Sequence, residues 1–191
     1  MIDSRHYEAI PTLDINDRMI IRRLSIEDAP SYLNYMKNPN VGRYVLVEKQ
    51  ATLSYAMSHI NYCQGMIRNE QGLFWAIARK NDNIMIGWLG LYTNNYNNRA
   101  EIAFDLSEDY WGQGITTEVI QETLRYAFDH MELIRVGALI LKENIGSQRA
   151  LEKNGFSFEG TLKNYKLHLD QAYDIESYAI TKEAFNIIKN N

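Results

Sequence analysis

Residues 110–118 read Tyr-Trp-Gly-Gln-Gly-Ile-Thr-Thr-Glu, and this short stretch constrains the fold more than any other. It sets two glycines, Gly112 and Gly114, one residue apart between two strongly patterned segments. Before it, Ala100 to Leu106 alternates as a strand does. Ile102, Phe104 and Leu106 share one face; Glu101, Ala103 and Asp105 share the other. After it, Ile115, Val119, Ile120, Leu124, Ala127, Phe128 and Met131 recur at helical spacing and predict a helix from about 115 to 130. Glycines at such a junction let the backbone turn sharply and let a ligand approach it closely. The N–H groups of the first helical turn have no partner within the helix, and the helix dipole favours negative charge beside them. A pyrophosphate is the natural occupant, although a plain tight turn with a helix cap would use the same residues.

The flanking sequence predicts the layers around that junction. Met19–Leu24 reads as a strand and Asp28–Lys37 as a helix stopped before Pro39. Leu53, Ala56, Met57, Ile60, Cys63 and Ile67 mark an amphipathic helix over 52–69, with Cys63 on its apolar stripe as core packing. Strands follow at Leu73–Arg79 and Ile84–Tyr92, joined by a turn at Asn81-Asp82-Asn83. The Asn-rich stretch 93–98 reads as a hairpin loop, because asparagine tolerates positive φ. Ile134–Leu141 is a strand, Gly146–Asn154 a short helix, and Phe156–Tyr165 and Tyr173–Thr181 a final pair of strands. Gly155 followed by Phe156 reads as a Schellman ending of the short helix. The order β-α-α-β-β-β-α-β-α-β-β predicts a mixed α/β fold, a sheet flanked by helices.

Composition narrows the function classes. With 191 residues the chain suits one domain, taken as 18–191, behind an N-terminal extension over 1–17. That extension is expected either to be a disordered tail or to pair with a neighbouring chain, and monomer and homodimer both stay open. A hydrophobic share of 46% is too high for a disordered protein. No run reaches the ~18 apolar residues of a membrane helix, and the first residues lack the apolar core of a signal peptide. The lone Cys63 suits a reducing cytosol, and no His, Cys or carboxylate spacing suggests a metal. A net charge of -4 argues against direct nucleic-acid binding. The expectation is a cytoplasmic protein with neither a membrane nor a nucleic-acid partner.

Other phosphate motifs fit badly. A dinucleotide fingerprint needs a third glycine where Thr117 stands, and a P-loop would end in Gly-Lys-Ser/Thr. Three further stretches lie at informative distances: Ala100-Glu101-Ile102-Ala103-Phe104 before the loop, Asn144-Ile145-Gly146-Ser147 after the next strand, and Asn154-Gly155-Phe156 beyond it. Together with Phe158-Glu159-Gly160-Thr161-Leu162-Lys163 and Ala172-Tyr173-Asp174, the ordered set resembles the GNAT acetyltransferases, specifically their RimJ/RimL-like branch, over roughly residues 18 to 181.

The resemblance implies a GNAT-like, mostly antiparallel sheet and an acetyl-CoA-dependent N-acetyltransferase that transfers directly, with no metal. It implies that the amides around Gly112, Gln113, Gly114, Ile115, Thr116 and Thr117 hold the coenzyme A pyrophosphate. Thr116 departs from the small or apolar residue of many members, but its hydroxyl also suits a phosphate. The main chain of Phe104, Asp105 and Leu106 would pair with the pantetheine arm like an added strand, with Asn144 bonding the arm and Ser147 near the sulfur. Many members carry an acidic tyrosine seven residues after the asparagine; here Leu151 stands there, so Ser147 is the suspected acid.

Direct transfer needs a base for the ammonium and donors for the developing oxyanion. Glu101 and Glu159 are the two candidate bases, each of which could instead bind the cationic amine or simply sit solvated or ion-paired. His130 reads as a helix-end residue and His168 as a loop residue near the substrate mouth, while Trp111 could fix the angle of the loop. The implied acceptor is a protein N-terminus, ribosomal proteins among them, or a small cationic amine such as a polyamine, amino sugar or antibiotic. A catalytically silent acyl-CoA-binding module is the rival. Residues 99–118 carry Arg99 against Glu101, Asp105, Glu108, Asp109 and Glu118, so this stretch alone accounts for the whole net charge of -4. Such acidity favours a cationic acceptor and leaves phosphate to backbone amides.

Overall fold

A computed structural model describes residues 2–45 and 52–190. The chain opens with α1 (Arg5–Glu8), β1 (Leu13–Asp14) and β2 (Met19–Arg23), then α2 (Ala29–Met36), α3 (Pro39–Val45) and α4 (Leu53–Arg68). A meander follows: β3 (Gly72–Arg79), β4 (Met85–Asn94) and β5 (Arg99–Leu106). The glycine loop leads into α5 (Ile115–Arg125), β6 (Arg135–Leu141) and α6 (Ile145–Lys153). The chain ends with β7 (Ser157–His168), β8 (Gln171–Thr181) and α7 (Lys182–Lys189).

The eight strands form one sheet in the order β1-β2-β3-β4-β5-β6-β8-β7. Every neighbouring pair is antiparallel except β5 and β6, which run parallel because α5 carries the chain across between them. That parallel pairing covers only Arg99↔Arg135, Ala100↔Val136 and Glu101↔Gly137. Beyond Glu101 the two strands part, and residues 102–106 keep β4 on one side but have no strand on the other. The sheet is therefore forked.

Helices cover the two faces unequally. On the face that carries Trp88 and Asp105, α2 and α4 pack over β3 and β4 through Tyr32, Tyr35, Ile60 and His59. On the opposite face α5, α6 and α7 enclose a core of Trp75, Leu89, Leu91, Ile115 and Phe128. No described helix covers β6, β8 and β7 on the first face, where Leu139 is 41% exposed.

Several local expectations hold, each through a nameable contact. Gly155 has φ +82; its N–H donates to Glu152 O and that of Phe156 to Leu151 O, which is the Schellman pattern. Cys63 is fully buried. The long helix is α-helical only to Arg125 and closes in a π-helical turn over Tyr126–His130, so His130 ends a widened turn.

Three elements differ from expectation. Pro39 does end the preceding helix, but it also opens α3, where a missing N–H costs nothing and Asn38 Oδ1 accepts from Asn40 N at 2.9 Å. Residues 182–189 form α7, capped when Thr181 Oγ1 accepts from Ala184 N at 3.2 Å. The described part of 1–17 is not a loose tail. It packs on its own core, with Tyr7 buried and donating to Thr93 Oγ1 at 2.8 Å, His6 bonded to Tyr126 and Leu13 paired with Ile21.

Gly155→Ala forces a side chain into the left-handed region and against Ile188. It should lower the unfolding free energy by about 1–2 kcal/mol, read as an earlier denaturant midpoint at unchanged slope.

Candidate active site

The loop after β5 is built by short-range bonds. A 3₁₀ turn over Glu108–Tyr110 leads to an extended Trp111, whose indole Nε1 donates to Leu106 O at 2.8 Å. That bond ties the loop back to the strand end, the angle-setting role expected of Trp111. Gly112 and Gly114 have φ of +71 and +81, and Gly114 is the left-handed cap of α5. A Cβ at either glycine would meet no protein atom within 4 Å. Packing therefore does not require glycine here; backbone conformation does, and the space above both stays open. Asn154 Nδ2 donates to Thr117 O at 3.1 Å and so braces the first turn of α5 against α6.

That open space belongs to a cavity of about 460 Å³ in the mouth of the fork. Phe104, Asp105 and Leu106 form one wall, and Gly112, Gly114, Ile115, Thr116 and Thr117 form the floor. Asn144 and Ser147, at the start of α6, form the facing wall. Gln113 is not part of the lining; its amide turns back to donate to Asp109 O at 2.9 Å. Asn144 Oδ1 accepts from Ser147 N at 3.1 Å as the cap of α6, which leaves its Nδ2 without a hydrogen bond among the described residues. Ser147 thus stands in the first helical turn, where the dipole favours developing negative charge. Leu151 is fully buried and offers nothing to the cleft.

Asp105 separates its two ends chemically. Its main chain borders the cavity strand, while its carboxylate lies on the other face, accepting from Tyr35 OH at 2.7 Å and Trp88 Nε1 at 2.5 Å. Both donors are neutral, and burial pushes its pKa up to about 7. The carboxylate fastens β5 to α2 at the height where β6 has left it.

The two candidate bases lie outside the cavity lining, on the uncovered face, and in different environments. Glu101 sits at the closed end of the fork, half-buried, its carboxylate lying over Gly137; a Cβ there would collide with both oxygens. It accepts from Arg99 Nη1 at 3.1 Å. Burial raises its pKa, against the opposing pull of Arg99 and Arg135. Glu159 instead accepts both Nη atoms of Arg135, at 2.6 and 2.5 Å, and that pairing holds its pKa below the usual carboxylate range. Of the two, Glu101 is the more basic. His168 lies at the tip of the β7–β8 hairpin beside Tyr173, away from the cavity.

Two groups of cavity residues escaped the sequence. Val41, Tyr44 and Val45 of α3 form part of its wall, and the Asn38-Pro39 start signal was there to be read. Arg149 and Lys153, four residues apart on one face of α6, also line it, and neither has an ion-pair partner among the described residues. Backbone amides are thus accompanied by two cations suited to phosphate. Among the described residues no group of three or more His, Cys, Asp or Glu could hold a metal ion, and no helix is long and apolar enough to cross a membrane.

The sequence model of the acetyltransferase (GNAT) domain matches residues 18–157. The uncharacterized N-acetyltransferase YoaA of Bacillus subtilis (strain 168) is 31% identical over 167 residues, covering 87% of this chain and 94% of the relative. The ribosomal-protein-serine acetyltransferase of Escherichia coli (strain K12) is 32% identical over 83 residues, 44% of this chain and 46% of that one. The crystal structure of a GNAT-family acetyltransferase from Bacillus anthracis superposes with a TM-score of 0.79 at 25% identity, covering 91% of this chain and 99% of that one.

Gly114→Val would place a branched side chain in the open space above the loop at a strained φ. The dissociation constant for coenzyme A, measured calorimetrically, should rise by about tenfold or more, or ~1.4 kcal/mol. Gly155→Ala, outside the cavity, should leave it unchanged.

Proposed function

This chain belongs to the acetyltransferase (GNAT) family, and we propose that the amine it acetylates is the α-amino group at a protein N-terminus. The reaction class is acetyl-CoA-dependent N-acetyl transfer. The observation that carries the choice of acceptor is the uncovered sheet face at the closed end of the fork. An open floor accommodates the end of a chain that continues into solvent, whereas a small amine is better served by an enclosed pocket. The relationship to a ribosomal-protein-serine acetyltransferase agrees with it. The acidic strand and loop, with Glu101 at the apex, suit an ammonium group.

Residue roles follow from position. The amides from Gly112 to Thr117, with Arg149 and Lys153, would hold the phosphates, and the free edge of Phe104–Leu106 would hold the arm together with Asn144 Nδ2. Both fit an anionic, amide-bearing ligand: the glycines keep the space clear, and among the described residues the cations have no ion-pair partner and the strand edge no strand. Acetyl-CoA supplies the activated acyl group. Glu101, three residues and about 10 Å along the strand from Phe104, would take the ammonium proton, directly or through water, freeing the nitrogen to bond the acyl carbon. Ser147 would donate to the sulfur as the C–S bond breaks, and the first turn of α6 would favour the thiolate's charge. The carbonyl pair moves to oxygen as the N–C bond forms and returns as the C–S bond breaks. The nitrogen's second proton would leave on collapse and, relayed through water and the Ser147 hydroxyl, end on the thiolate, so no covalent enzyme adduct is required.

The test is release of coenzyme A thiol with a panel of acceptors. Peptides with a free N-terminal serine should exceed the same peptides blocked at the N-terminus, spermidine and glucosamine by about tenfold or more in kcat/KM. A preference for spermidine or glucosamine would replace the peptide reading. Ser147→Ala should lower kcat by about 100-fold at unchanged coenzyme affinity.

A further inference from the structure

Four charged side chains meet on the uncovered face where β5 and β6 still pair. Arg99 and Arg135 are register partners, and Glu101 pairs with Gly137 two residues on. Glu159 reaches this group from a bulge in the edge strand β7, where its carboxylate also lies 3.5 Å from Ser177 Oγ. Two guanidiniums and two carboxylates could divide evenly, but they do not. Arg135 gives both terminal nitrogens to Glu159, while Glu101 receives one nitrogen of Arg99. One oxygen of Glu101 therefore has no hydrogen-bond partner among the described residues, at the apex of the fork.

Bidentate guanidinium pairing is a strong hold on a carboxylate, and it makes that carboxylate a poor base. Arg135 is the cation placed to impose it on Glu101 from the neighbouring strand. We propose that Glu159 is a positioning residue: by holding Arg135 it keeps that guanidinium off Glu101, leaving Glu101 free to accept the amine's proton. This rests on Glu101 being the base. The titratable and charged neighbours of Glu101 are Arg99 on its own strand, Tyr92 opposite it on β4, Arg135 on β6 and Glu159 on β7. Burial raises its pKa, the two arginines lower it and Glu159 raises it, which are the signs this arrangement requires.

The signs predict opposite shifts for the two partners. In Glu159→Gln, Arg135 is released and a negative charge is lost, so the Glu101 carboxyl should titrate about one unit lower. The acid limb of kcat/KM moves down with it, and the plateau falls because the base is weaker. In Arg135→Met the carboxylate of Glu159 remains uncompensated and the titration moves up by a similar amount. Glu159→Asp should restore most of the wild-type profile. The double variant should lie nearer wild type than either single change, as expected for coupled neighbours.

The experiment is ¹³C NMR titration of the side-chain carboxyls, with Glu101 assigned by Glu101→Gln, alongside pH–rate profiles with acetyl-CoA and an N-terminal serine peptide. Opposite shifts at unchanged coenzyme affinity support the proposal. An unmoved Glu101 titration in both variants overturns it. Loss of the acid limb in Glu159→Gln also overturns it, since Glu159 would then be the base itself. An acid limb that survives in Glu101→Gln refutes Glu101 as base, and the titration distinguishes that outcome from a failed choice of acceptor because it needs no turnover. Arg135→Met and Glu159→Asp keep the test decisive if Glu159→Gln does not fold.

Discussion

The parallel pairing of β5 with β6 lasts three residues, and the chemistry of the molecule depends on its ending there. Parallel neighbours need a crossover connection, so α5 must start at the open end of β5 and return the chain to the foot of β6. The same divergence leaves backbone donors and acceptors of residues 102–106 without a strand partner, which buried groups cannot tolerate without water or a ligand. It also sets the glycine loop at the end of one prong and the start of α6 at the end of the other. Glycine loop, strand edge and Asn144 line one gap because two strands separate.

Charge is distributed to suit that gap. The five acids of residues 99–118 look alike in sequence, but the fold uses them differently. Asp105 is buried between two neutral donors, Glu108 accepts from Asn38 and Asn40, and Glu118 accepts from Asn16. Among the described residues Glu101 accepts a single hydrogen bond, from Arg99, and it is the proposed recipient of the amine's proton. The cations of the cavity come instead from α6, thirty or more residues later, where Arg149 and Lys153 had been absorbed into a neutral remainder.

The legible parts of the site were those made by neighbours in sequence. Gly112, Gly114 and Gly155 announced their positive φ, and the alternation of 100–106 gave the strand and its faces. The fork was not legible, since its length depends on how far β6 follows β5 across a 28-residue connection. The fate of Glu159 was hidden for the same reason. Its ion pair bridges strands through Arg135, which no local pattern ties to it. The packing of residues 2–14 also depends on distant partners, Thr93, Tyr126 and Ile21. By contrast α3 was written locally in Asn38-Pro39, because a proline that stops one helix can begin the next.

Leu151 shows how a missing acid can be accommodated without loss of chemistry. A tyrosine at that position would have to reach the cleft from the second turn of α6, but Leu151 is fully buried in the core. A departing thiolate needs little proton donation, since an ordinary thiol titrates near 8.5, about 1.5 units below an ordinary tyrosine. Stabilising its charge is then the larger requirement, and in the proposed mechanism the first turn of a capped helix would meet it with a dipole and the hydroxyl of Ser147. Asn144, a lining residue of the cavity, would make this possible by dividing its amide, with the oxygen spent on Ser147 N and the nitrogen without a hydrogen bond among the described residues. The capping bond that starts α6 therefore also orients both groups that, in the proposed mechanism, would meet the arm and its sulfur.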